Sequence, residues 1–277
     1  MSFTVQKLTP NIGAEIVGLD ISQPLNPATV QAVRQAWLDN SMLVFRGQNL
    51  DAEAQRRFVG YFGIMGKRAA ALPSKTERPA GPDYNSDAML VSNIRHDGKP
   101  IGVLPDGEMW FHHDMSYAAA PNRASFLYSL EIPGHGGDTM FASMYAAYDA
   151  LSDRMKGYLD KLTATHDGRK VFGPNAPVNI HPIVAKHPIS GRKLLYINRG
   201  QTSHINEVPR DESDAVLGFL YQHCAHPDFQ LRFRWKPDSI AFWDNRCTHH
   251  RAIWDYYPNV RSGFRVQIKG SAAPVAA

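Results

Sequence analysis

Gly107-Glu108-Met109-Trp110-Phe111-His112-His113-Asp114-Met115-Ser116-Tyr117 is the stretch that decides how the rest of the chain is read. Its aromatic content predicts a short strand. Side chains on a strand alternate between faces, so His112 and Asp114 share one face and His113 takes the other. An imidazole and a carboxylate two positions apart on one face can reach the same metal ion. They supply two of the three ligands of a 2-His-1-carboxylate site for non-haem Fe(II). A lone His-X-Asp also occurs in ordinary ion pairs, so the stretch needs a distant partner.

That partner lies near the other end of the chain. Trp243-Asp244-Asn245-Arg246-Cys247-Thr248-His249-His250-Arg251-Ala252 follows a strand pattern and carries two adjacent histidines. Neighbours on an extended backbone face opposite ways, so one of His249 and His250 is available as a ligand, and spacing alone leaves the choice open. Beyond them stand Arg261 and Arg265, four apart and hence on one face of a further strand. On an outer strand face they are ordinary surface arginines; on an inward face two guanidiniums require an anion, because buried charge is costly unless paired. Arginine matches a carboxylate with two parallel hydrogen bonds. Thr139, after Gly136-Gly137-Asp138, is either a plain β-branched strand residue or a further hydroxyl donor.

The totals narrow the classes. The chain has 277 residues, 43% hydrophobic and 20% charged, which describes a globular protein with a sizeable core. No run approaches the roughly 18 apolar residues of a membrane span. The first residues lack the basic-then-apolar pattern of a signal peptide, and only Cys224 and Cys247 occur, so a cytoplasmic protein without a disulfide framework is expected. The formal net charge is +4 and the sequence pI about 9.0, but the Lys and Arg residues are scattered. That pattern predicts a solvated basic surface and no nucleic-acid partner, and it suits a small anionic substrate.

Taken in order, Thr4–Lys7 and Ala14–Val17 alternate as strands. Asn26-Pro27 opens a helix to about Asn40, with Val30, Val33, Trp37 and Leu38 on one face. Met42-Leu43-Val44-Phe45 reads as a buried strand, and Asp51 caps a second helix to about Tyr61. Residues 64–89 hold several Pro and Gly with no periodicity and predict an active-site lid. Residues 95–105 and 171–182 read as further loops. Strands are expected at 89–94, 123–130, 138–142, 183–186, 193–197, 229–235, 239–243 and 263–269, with helices after Ser143, Ser152 and Asp211. Many short strands without βαβ alternation predict a mainly β fold with inserted helices, a double-stranded β-helix (jelly roll) core in one domain spanning 1–277.

Trp110-Phe111-His112-His113-Asp114, Gly136-Gly137-Asp138-Thr139 and Trp243–His250, followed by Arg261 and Arg265, together resemble the taurine dioxygenase/2,4-D dioxygenase family (TauD/TfdA). The resemblance extends over most of the chain, including His181-Pro182 and Gly191-Arg192-Lys193. It implies a jelly roll that uses Fe(II), 2-oxoglutarate and O2, hydroxylates a small anionic organic substrate and releases succinate and CO2. The family pattern places the distal histidine two residues after the Thr of Asp-Asn-Arg-X-Thr-X-His, which selects His250 and makes the ligand set His112, Asp114 and His250. It implies Thr139 and Arg261 as contacts of the distal carboxylate of 2-oxoglutarate. It sets Arg265 beside the metal, in the space shared by the cosubstrate and the acid of the prime substrate. A homo-oligomer is expected.

Taurine-type members carry a His soon after the Phe-Gly that ends the second helix. Here Phe62-Gly63 is followed by Ile64-Met65-Gly66-Lys67-Arg68, which points away from taurine itself. Two other readings use the same residues. A zinc hydrolase would use the three ligands with an activated water, but no His-Glu-X-X-His occurs, and Arg261, Arg265 and Thr139 would have no task. A non-catalytic jelly-roll binding module would have no reason to converge His112, Asp114 and His250.

Overall fold

The alternation within Met42–Phe45 explains the layering of the molecule. Met42 and Val44 belong to one buried cluster, with Leu127, Phe141, Phe233, Ala241 and Trp243. Leu43 and Phe45 belong to another, with Trp37, Phe58, Phe62, Phe126 and Phe242. A strand apolar on both faces must be covered on both, which is why this stretch shows no polar alternation. The computed structural model describes residues 3–66, 88–103 and 109–277.

A seven-stranded sheet forms the middle layer. Its strands lie in the order Thr4–Lys7, Ala14–Val17, Met42–Phe45, Ile240–Asp244, Ala124–Glu131, Ser262–Ile268 and Ala88–Ser92. Neighbours are antiparallel except Ala14–Val17 beside Met42–Phe45, which run parallel. A three-stranded sheet of Gln230–Phe233, Thr139–Ser143 and Thr248–Ala252 faces it. Side chains from both sheets make the cluster between them, so the core is a jelly roll, and the expected mainly β fold with inserted helices is what forms.

Helices close both outer faces. Pro27–Asn40 and Ala52–Gly60 cover the large sheet, where Trp37 stacks on Phe242 with ring centroids 4.8 Å apart. Asn26 caps the first by accepting from the Thr29 amide at 2.8 Å, and Asp51 caps the second by accepting from Ala54 at 2.7 Å. Met144–Asp149 and Arg210–Cys224 pack behind the small sheet with Ala142, Leu217 and Leu220. Ser143 both ends a strand of the small sheet and caps the helix after it.

Three readings are corrected. Residues 171–182 are not a loop throughout: Val178–Pro182 is a strand paired with Thr163–Asp167, itself unforeseen, and Arg169–Phe172 is a short helix. Pro182 fits because its strand is the edge of its sheet, where no further ladder needs its missing N–H. Within 95–105 the chain forms a small hairpin, Arg95–His96 with Lys99–Pro100, turned by Asp97 and Gly98 at φ 48° and 74°. Around His112 the chain is no continuous strand, as described below. Most of the expected lid at 64–89 lies outside the described residues.

Candidate metal centre

His250 owes its direction to the small sheet. It sits opposite Phe141 in the ladder, and alternation along Thr248–Ala252 turns His250 toward the space between the sheets and His249 away from it. Trp243 and Phe141 pack around the His250 ring, with centroids at 4.9 and 6.2 Å.

His112 joins the same sheet through a single bridge. Its amide donates to the His250 carbonyl at 3.2 Å, and the His250 amide donates to the His112 carbonyl at 3.1 Å. Directly opposed residues share a face, and the two imidazole centroids lie 4.3 Å apart. Immediately after the bridge the chain turns over Asp114–Tyr117, with Met115 at φ 55°. The sequence reading of a strand therefore holds for one bridge only. Asp114 still reaches the His112 side because its backbone is clamped. The Asn245 side chain accepts from the Asp114 amide at 2.7 Å, and its amide group donates to the carbonyls of Asp114 and Asn122 at 2.8 and 2.7 Å.

Asp114 Oδ1 lies 3.7 Å from His112 Nε2 and 3.8 Å from His250 Nε2. The candidate ligand atoms of His112, Asp114 and His250 all fall within 4.8 Å of one another. Cis ligands with bonds of about 2.1 Å stand roughly 3.0 Å apart, so this cluster closes on an ion with sub-ångström shifts. His112 Nδ1 contacts the Trp110 carbonyl at 2.9 Å, which assigns the N–H to Nδ1 and leaves the Nε2 lone pair for a ligand bond. His113 points elsewhere: fully buried, it stacks on Tyr196 at 4.6 Å and meets His249 edge-on at 4.4 Å. His249 Nε2 is engaged by the Ile197 carbonyl at 2.8 Å.

The protonation states suit a cation. Burial, and then His112, push His250 well below the ordinary histidine value, so it is a neutral donor at neutral pH. For Asp114, burial opposes the charge. Arg265, His250 and His112 outweigh it and hold the carboxyl well below the usual carboxylate range. Two imidazoles and one carboxylate with open sides are the donor set of a non-haem Fe(II) site, so these residues fit that metal.

The Asp114 carboxylate has two distinct sides. Oδ1 also meets Arg265 Nη1 at 3.4 Å. Oδ2 accepts from Ser125 Oγ at 2.8 Å and from Gln267 Nε2 at 2.9 Å. Neither Ser125, Gln267 nor Asn245 was given a role from sequence. Gln267 was within reach of that reading, since strand parity places it on the face of Arg265.

Arg261 is 4% exposed and stands just before the Ser262–Ile268 strand. Its amide donates to Asn93 Oδ1 at 2.9 Å and its Nη2 donates to Thr139 Oγ1 at 3.0 Å. Trp235 Nε1 donates to the same Thr139 oxygen at 2.9 Å. With both acceptor positions used, the Thr139 hydroxyl proton is left for another acceptor. Arg261 Nε has no hydrogen-bond partner, and among the described residues no carboxylate forms an ion pair with this buried guanidinium. Burial accordingly lowers its pKa. A carboxylate docking here would pair with Arg261 and take the Thr139 proton.

A cavity of about 730 Å³ is on the other side of the Thr248–Ala252 strand, against Phe111, His249 and Arg251. It is therefore separate from the three-residue cluster.

The family model described as taurine catabolism dioxygenase TauD, TfdA family matches residues 4–267. A putative alpha-ketoglutarate-dependent sulfonate dioxygenase of Schizosaccharomyces pombe is 31% identical over 277 residues, covering 96% of this chain and 69% of that protein. An alpha-ketoglutarate-dependent 2,4-dichlorophenoxyacetate dioxygenase of Cupriavidus pinatubonensis is 32% identical over 272 residues, covering 91% of this chain and 92% of its own. Among solved structures, a taurine dioxygenase from Burkholderia xenovorans superposes with a TM-score of 0.85 at 30% identity, over 100% of this chain and 93% of that one.

Proposed function

Because the chain belongs to the TauD/TfdA family of 2-oxoglutarate-dependent dioxygenases, we propose that His112, Asp114 and His250 hold its Fe(II) and that Arg261 and Thr139 hold its 2-oxoglutarate. The enzyme is a non-haem iron dioxygenase that acts on a small anionic organic molecule. The observation that carries the residue assignment is the convergence of the three ligand atoms within 4.8 Å. Beside it stands Arg261, a buried guanidinium with no carboxylate of its own among the described residues.

Bound there, Fe(II) would activate O2, the oxidant, and 2-oxoglutarate would give two electrons as it becomes succinate and CO2, so that one oxygen atom enters the co-product and the other a substrate C–H bond. The chain's own contributions are positional. Asn245 fixes the backbone of Asp114, and Trp110 fixes the tautomer of His112. Trp235 and Arg261 turn the Thr139 hydroxyl toward an incoming acceptor. Arg265 lies beside Asp114, and its remaining donors suit the acid group of the prime substrate.

The relatives are described as a putative sulfonate dioxygenase and a 2,4-dichlorophenoxyacetate dioxygenase, and a sulfonate and a carboxylate are both compact anionic groups. We extend that class to this chain: sulfonates, sulfate esters, aryloxyalkanoates or amino-acid-like acids. A panel of these acids, each incubated with the enzyme, Fe(II), 2-oxoglutarate and O2, is scored by succinate release. At least one class raises release well above the substrate-free rate, and a flat response across all classes would overturn the substrate reading. No helix among the described residues is long and apolar enough to cross a membrane. Cytoplasmic residence and assembly as a homo-oligomer complete the proposal; fractionation tests the first and sedimentation the second.

A further inference from the structure

We infer that Ser125 and Gln267 are positioning residues that make Asp114 a one-oxygen ligand, by withholding Oδ2 from the metal position. This rests on the proposed assignment of Asp114 as a ligand.

The two residues form a directly opposed pair. Ser125 lies on Ala124–Glu131 and Gln267 on Ser262–Ile268, matched in register across the large sheet. Both donate to the same carboxylate oxygen, at 2.8 and 2.9 Å. Gln267 Nε2 also lies 3.4 Å from Ser125 Oγ, so the pair braces itself. Ser125 is fully buried, and Asp114 is 6% exposed. Gln267 is half-buried, so water has little access with which to replace the Ser125 donor and more with which to replace Gln267.

The rest of Asp114 is equally constrained. Asn245 holds its amide and its carbonyl, leaving only side-chain torsions to set the carboxylate. Two donors on Oδ2 set those torsions, and the oxygen left over, Oδ1, is the one facing both imidazoles. Hydrogen bonds to a charged acceptor are the short, strong kind, so rotation of the group breaks two of them at once.

The consequence concerns open positions. A carboxylate can bind a metal through one oxygen or two. With one oxygen from Asp114 and one nitrogen from each histidine, a six-coordinate ion would have three places left for 2-oxoglutarate and O2. A second oxygen from Asp114 would remove one of them. The pair thus acts on cosubstrate binding rather than on metal binding.

The test uses Ser125→Ala, Gln267→Met and the double variant in the full-length protein, with His250→Ala alongside. Mn(II) binding is measured by the electron paramagnetic resonance signal of the free ion, and 2-oxoglutarate affinity is measured on the Mn(II)-loaded protein. Mn(II) affinity of the pair variants stays within about threefold of the unmodified enzyme. 2-Oxoglutarate affinity falls by about tenfold or more in the double variant and by less in each single one, since losing a hydrogen bond to a charged group is worth about that much. Ser125→Thr, which keeps the hydroxyl, binds 2-oxoglutarate more tightly than Ser125→Ala. If the double variant binds 2-oxoglutarate within about threefold of the unmodified enzyme, below the value of one such bond, the inference is wrong. Loss of Mn(II) as complete as in His250→Ala also overturns it, because the pair would then be needed for ligation itself. Should Gln267→Met not fold, Ser125→Ala decides by the same criteria, as it removes a single oxygen. Undiminished Mn(II) binding by His250→Ala would instead refute the ligand assignment.

Discussion

His112 and His250 face each other across a single β-bridge, tied by amide-to-carbonyl hydrogen bonds of 3.2 and 3.1 Å, with their rings 4.3 Å apart. The bridge selects one histidine from each of two adjacent pairs. Residues on one side of it reach Asp114, and those on the other, His113 and His249, meet each other in a separate buried cluster.

The first prediction follows from that division. His250→Ala loses bound iron and turnover together. His249→Ala keeps most of its iron, because its Nε2 is engaged by the Ile197 carbonyl. Iron content and succinate release measured on both variants check this; an exchange of the two phenotypes refutes the assignment.

Arg261 sets the second. Removing it takes away a charge-assisted, bidentate contact and leaves the cosubstrate's carboxylate buried, a change of roughly 2–5 kcal/mol. That is roughly 30-fold or more in affinity. Arg261→Ala therefore raises the Michaelis constant for 2-oxoglutarate by at least that order. Thr139→Val, which removes one neutral donor, raises it by about fivefold. An Arg261→Ala enzyme with 2-oxoglutarate binding within about threefold of normal contradicts the cosubstrate role.

Arg265 has a different signature. It contacts Asp114 Oδ1 at 3.4 Å and Met89 Sδ at 3.8 Å rather than Thr139. Its loss mainly damages coupling: in Arg265→Ala, succinate forms in excess over hydroxylated product. Both products are quantified in one reaction, and a ratio held at one to one speaks against this role.

Acid stability gives the fourth. Burial, and then His181, push His166 down to about 3. An unfolded histidine titrates near 6.5, so between about pH 6.5 and 3 the unfolded chain binds a proton that the folded chain does not. The group is neutral in both states above that window, and stability falls as pH drops through it. His166 alone contributes a loss of about 1.4 kcal/mol per pH unit there, about 2 kcal/mol between pH 7 and 5. The urea midpoint of the metal-free protein falls over that range, and His166→Asn lessens the slope. An unchanged slope rules out this origin.

The jelly roll was legible because its strands carry the signals that matter. Met42–Phe45 is apolar on both faces, and both faces are covered. Asn26 and Asp51 announce their helices and do cap them. Val178–Pro182 escapes the sequence reading because Pro174, Pro177 and Pro182 dominate the local pattern, and its ladder partner among the described residues, Thr163–Asp167, carries no strand signal of its own. Edge pairing of that kind is decided by tertiary contacts, not by propensity.

At the candidate site, parity put His112 and Asp114 on one side even though the expected strand shrank to one bridge. Asn245 does the work that strand regularity was expected to do, and nothing in local sequence says that an asparagine 131 residues away clamps the Asp114 backbone. Ser125 looks like one small residue in an apolar strand, and only the register opposite Gln267 gives it a partner.

The most direct measurement is anaerobic visible spectroscopy of the Fe(II)-loaded protein on addition of 2-oxoglutarate. We predict a weak charge-transfer band in the unmodified enzyme, no band in His250→Ala, and in Arg261→Ala a band that requires roughly 30-fold more 2-oxoglutarate to reach half its intensity. A featureless spectrum from the unmodified protein at saturating Fe(II) and 2-oxoglutarate, or a full band from His250→Ala, would contradict the site described here.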